Sequence, residues 1–136
     1  MFATLNRNLL KSIMLFDGVF SLVTAAGLFA FSGTVGALVG PHATSVVVNG
    51  FAAFFVAWGI FHLAVGRQER PSPPAVRLAI IGDALWVIGS IAVLLVARDG
   101  LTLTGMGLIA VAAVAVADIL LIKQIGLGRQ QRAALA

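Results

Sequence analysis

Four apolar runs, at residues 12–31, 46–65, 78–97 and 103–122, leave this chain few ways to fold. Each matches the roughly 20 residues that a helix needs to cross a hydrocarbon core about 30 Å thick. None carries the broad polar face of a soluble amphipathic helix, and no alternation of apolar and charged residues marks a strand. The chain is 60% hydrophobic and 10% charged, with a mean hydropathy of +1.07, values that exclude a soluble domain of this size. The expected fold is therefore all-α, a four-transmembrane-helix bundle in a lipid bilayer. Residues 1–136 form a single membrane domain with no room for a soluble catalytic module.

The bases set the orientation. Arg7 and Lys11 precede the first run, Arg67, Arg70 and Arg77 lie between the second and third, and Lys123, Arg129 and Arg132 follow the fourth. Only Arg98, beside Asp99, falls on the other side, so the positive-inside rule predicts that both termini are cytoplasmic, in a multi-pass inner-membrane protein. The net charge of +4 thus reports topology; bases spread over three short segments without aromatic interleaving do not make a nucleic-acid footprint. The first run has the length of a full span, carries Asp17 and lacks a cleavage site, which marks a retained helix rather than a signal peptide. With no cysteine in the chain, disulfides, thiolate metal sites and cysteine catalysis are excluded.

The connections differ in character. Residues 32–45, with Gly33, Gly36, Gly40 and His42, read as an uncharged loop able to dip into the interface. Residues 66–77 hold the run Pro71-Ser72-Pro73-Pro74, which reads as a stiff, non-helical connector. Arg98-Asp99-Gly100 reads as a tight turn, so the third and fourth spans must be close antiparallel neighbours.

One ionisable residue lies near the same end of each span: Asp17, His62, Asp83 and Asp118. Each is three to five residues inside its run, or roughly 5–8 Å below the cytoplasmic boundary at helical rise. Toward water each helix then offers a base, Lys11, Arg67, Arg77 or Lys123. Just deeper lie Trp58, four residues before His62, and Trp86, three after Asp83, each on the helix face of its ionisable neighbour. A faint parallel duplication accompanies the layer: aligning Asp17 with Asp83 brings Phe20 onto Trp86 and Thr24 onto Ser90, and aligning His62 with Asp118 brings Arg67 onto Lys123.

Two functions suit such a layer. In the first, bases snorkel onto the carboxylates and staple the helices together. In the second, three carboxylates and an imidazole form a proton or cation relay. The same ligands are competent for a divalent metal, but no helix-spaced pair supports one, and no metal or cofactor is expected. His42 and His62 lie near opposite ends of one span, roughly 30 Å apart, which rules out a shared haem. The lone hydroxyls Ser21, Thr24 and Ser90 suit helix backbone bonding better than catalysis. The small-residue fourth span, with Gly105, Gly107, Ala113 and Ala117, suits close packing within the bundle, with a second copy or with other membrane subunits. Asn49, near the outer end of the second span, reads as a loop cap.

Residues Asp83-Ala84-Leu85-Trp86-Val87 resemble the Asn-Ala-Leu-Trp-Val signature of a group of small bacterial four-helix integral membrane proteins of uncharacterised function. The resemblance extends over the whole chain, through the cationic start, the early Asp17, the Pro/Arg-rich middle loop and the alanine-rich last span. It implies a bacterial inner-membrane protein. The chain departs from that signature in carrying Asp83 where the group has asparagine, which implies that the position requires only a hydrogen-bonding side chain and favours the structural reading over proton transport. The expected function is a non-enzymatic structural or accessory subunit of a membrane assembly; the alternative is an oligomeric proton- or cation-coupled small transporter.

Overall fold

A computed structural model describes residues 8–136; Arg7, one of the bases used for orientation, lies outside the described residues. The chain forms α1 (Leu9–Ala30), the short α2 (Ser32–Val39), α3 (Ser45–Gly66), α4 (Pro73–Val96), a 3₁₀ turn (Arg98–Gly100) and α5 (Leu103–Leu135). No strand is present among the described residues. Helices α1, α3, α4 and α5 are long and apolar enough to cross a membrane. Their outward faces are dominated by exposed apolar side chains such as Val23, Ile60, Leu85 and Val111. An exterior of that kind is stable in lipid and unstable in water.

The element ends follow from local chemistry. The hydroxyl of Thr44 caps α3 by accepting from the Val47 amide at 3.4 Å, and that of Thr102 caps α5 by accepting from the Gly105 amide at 2.8 Å. Asn49 is not a cap; its Oδ1 is buried without a partner. The expected proline connector is shorter than 66–77. Pro73 and Pro74 open α4, because the first helical turn needs no amide hydrogen and favours a fixed φ. Residues 32–39, expected as loop, form α2, which ends at Gly40 with φ of +149°, a conformation open to glycine. A side chain there would also meet the Gly100 carbonyl. The fourth helix runs 13 residues past the expected end at 122, reaching Leu135. At about 50 Å it outreaches a hydrocarbon core.

The helices close into a bundle with unequal seams. At the α1–α3 seam Gly18 and Gly59 face each other, and a Cβ built on Gly59 would lie 2.9 Å from the Gly18 carbonyl oxygen. The α4–α5 pair is also in close contact, as the tight Arg98–Gly100 connection requires, and α1 packs on α5. Between α3 and α4 the backbones barely meet; rings span the gap, with Phe51 and Phe55 centred 5.8 and 5.1 Å from Trp86. A buried apolar cluster, including Leu10, Met14, Val65, Val76, Ala79 and Leu127, fills the end of the bundle where α1 and α4 begin and α3 ends.

Candidate functional site

Each spanning helix contributes one inward side chain to a single buried cluster. Asp17 comes from α1, His62 from α3, Asp83 from α4 and Lys123 from α5, and they are 6%, 0%, 3% and 0% exposed. The Lys123 ammonium sits at the centre, with Nζ 2.5 Å from Asp17 Oδ2, 2.6 Å from Asp83 Oδ2 and 2.9 Å from His62 Nε2. An ammonium has three hydrogens to donate, and here three acceptors surround it. His62 Nε2 is also 3.1 Å from Asp17 Oδ2.

The imidazole is fixed from behind. Its Nδ1 lies 2.8 Å from the carbonyl oxygen of Trp58, one turn earlier on α3. A carbonyl can only accept, so Nδ1 carries the hydrogen, and in the neutral ring Nε2 presents a lone pair to Lys123. Trp58 is held above His62, ring centres 4.8 Å apart, and its edge occupies space that a side chain at Gly82 would need. Asp17 receives a further, long bond of 3.4 Å from the Ser21 hydroxyl.

The cluster differs from the expected layer in its fourth member. Asp118 is exposed on the outer face of α5, while Lys123, expected to point toward water, is its buried centre. Five residues turn a helix by about 140° beyond a full circle, so the two side chains cannot both face inward. Lys11 is half-buried and Arg67 and Arg77 are exposed; none bonds to the cluster. Of the pairs that the duplication aligns, Asp17 and Asp83 both bond Lys123, whereas His62 is buried and Asp118 exposed.

Asp17, His62 and Asp83 are mutually close enough to hold a metal ion. Lys123 Nζ, however, occupies the point within bonding distance of all three. A cation already tethered there leaves no room for a second, divalent one.

Above the cluster, away from the termini, lies a cavity of about 310 Å³. Asp17 and Asp83 form its polar floor and Phe51, Phe55, Trp58 and Trp86 its α3–α4 wall; Ala112, Ala115 and Val116 line the α5 side, and Val35 and Val39 of α2 lie at its far end. Trp86 Nε1 is buried without an acceptor. On the opposite side of the cluster the apolar plug around Met14, Val65 and Val76 separates it from the terminal end. Of the four groups, Asp17 and Asp83 face the cavity.

Comparison with protein-family models, curated proteins and solved structures gives no match to this chain. The site itself defines a class no finer than a small multi-pass membrane protein with a buried ionic tetrad beneath an aromatic-walled cavity.

Proposed function

We propose that the chain is a non-enzymatic bacterial inner-membrane protein whose tetrad exchanges a proton for a monovalent cation, as the coupling site of a small transporter. The observation that carries this reading is the charge imbalance of the buried cluster. Two carboxylates face one ammonium, so with His62 neutral the tetrad holds one net negative charge. An uncompensated charge in low dielectric is costly. Either a proton or a cation entering from the cavity neutralises it, and the two compete. Competition for one charge is the minimum requirement for coupled exchange.

Protonation also has a geometric consequence. A hydrogen on His62 Nε2 would be donated to Asp17 Oδ2, while Lys123, 2.9 Å away, would lose an acceptor and face a like charge. The ammonium would then be held by the carboxylates alone. Asp17, Asp83, Lys123 and the Trp58 carbonyl are the groups facing the imidazole, and only the ammonium is repelled when it charges.

One observation favours the staple reading: Lys123 of α5 bonds to side chains from all three other spanning helices. Ion networks of this kind, however, rarely stabilise a fold more than well-packed apolar residues would, and ionisable residues within spans commonly mark ion pathways and proton relays. An enzyme reading has less support, since the hydroxyls of Ser21 and Ser90 are committed to Asp17 and to the Trp86 carbonyl.

The test is luminal pH in proteoliposomes of the full chain under imposed Na⁺, K⁺ and organic ammonium gradients. Proton movement against at least one cation, lost in Asp83→Asn with the melting temperature preserved, is the expected result. No proton movement against any of these cations would return the tetrad to a structural role.

A further inference from the structure

The cavity above the tetrad has the chemistry of a receptor for an organic cation. Its floor holds Asp83, a buried carboxylate that bonds Lys123 through Oδ2 and lines the cavity. Its wall is a set of aromatic rings, whose negative faces attract cations, most strongly when the cation sheds water. A bare inorganic ion gains little from such a wall, because it surrenders its hydration to apolar carbon. A quaternary or tertiary ammonium with an apolar body surrenders far less, and most of the lining is apolar, Ser21 and Thr24 excepted. The volume of about 310 Å³ is at the small end of ligand sites, suited to a molecule of about one ring.

The route in is legible as well. Backbone packing closes the α1–α3 and α4–α5 seams, but the α3–α4 seam is closed by side chains, chiefly Phe51 and Phe55 against Trp86. Rings change rotamer far more readily than packed backbones separate. A solute already dissolved in the bilayer can therefore pass that wall without the bundle coming apart.

We infer that the exchanged cation is a small lipophilic ammonium, which enters laterally across the α3–α4 seam and binds with its charge at Asp83 and its apolar body between Trp58 and Trp86. This rests on the exchange reading above and adds the substrate class to it.

The chain has two tryptophans, and both line the cavity, so the natural protein carries its own reporter. Full-length protein in maltoside micelles is titrated with benzyltrimethylammonium while tryptophan emission is followed. The expected result is a saturable change, at least about tenfold weaker in apparent Kd for neopentylbenzene, the uncharged carbon analogue. Asp83→Asn should weaken binding of the ammonium by a similar factor. Ala112→Leu narrows the cavity while leaving every charge in place, and should weaken it too, which guards against an Asp83 variant that fails to fold. Equal affinity for the neutral analogue, or unchanged affinity in Ala112→Leu, would overturn the inference. Proton movement driven by Na⁺ or K⁺ in proteoliposomes, with no saturable emission change for the ammonium, would overturn it while sparing the exchange reading. Saturable, charge-selective binding without any proton movement would uphold the site and remove the exchange.

Discussion

The α1–α3 and α3–α4 seams share a helix and are built on opposite principles. At the first, Gly18 and Gly59 remove side chains from the contact and let backbones touch, as small residues do where no hydrophobic effect drives helices together in lipid. At the second, Phe51, Phe55 and Trp58 stand between backbones that hardly meet. The first seam leaves no space to fill. The second leaves a cavity, and the tetrad lies at its floor. One helix can thus be a fixed wall on one side and a yielding one on the other.

The largest effect should come from the residue that ties both seams to α5. Lys123→Met leaves two carboxylates buried without a counter-charge, and removing one partner of a buried pair costs about 3–5 kcal/mol. Melting in micelles should drop accordingly, and Lys123→Met with Asp83→Asn should recover part of the loss. A variant as stable as the parent would mean that water already screens the tetrad.

Substitutions along α3 should then act differently on its two sides. Gly59→Ala places a methyl within 3.0 Å of Gly18 and Leu22 atoms, an overpacking that costs about 1–3 kcal/mol. Phe55→Ala, at the yielding seam, opens space instead of filling it and loses a ring pair with Trp86 worth about 0.5–1.5 kcal/mol beyond its area burial. The smallest change is expected at Gly50, where an added Cβ meets nothing within 4 Å. Gly50→Ala should be neutral or stabilising by up to about 1 kcal/mol through helix propensity. If Gly59→Ala and Gly50→Ala melt alike, the α1–α3 seam is not closed by backbone contact.

The spans and the placing of one ionisable residue near a common end of each were legible in the sequence, because length and apolarity decide the first and helical rise the second. The rotation of α5 was not. Asp118 lies inside the apolar run and Lys123 at its edge, so depth alone selects Asp118 as the inward group and sends Lys123 to water. Two features pointed the other way. Three in-span carboxylates without a base carry an imbalance that one lysine reduces, and Lys123 shares a helix face with the apolar Ile119 and with Gly126 and Leu127, all buried. The proline run misled for a different reason: a proline that interrupts a helix interior also starts one well. No local pattern in residues 66–77 distinguishes the two uses, since the choice depends on where α4 must begin to reach the plug at Val76 and Ala79.

The account stands on a tetrad that changes by one charge, and the most direct measurement is ¹⁵N NMR of the His62 imidazole across pH in the full-length protein. The geometry predicts hydrogen on Nδ1, held by the Trp58 carbonyl, and a bare Nε2 facing Lys123. An imidazolium at every pH where the protein stays folded would contradict it. The four groups would then be neutral together, with no charge left to exchange.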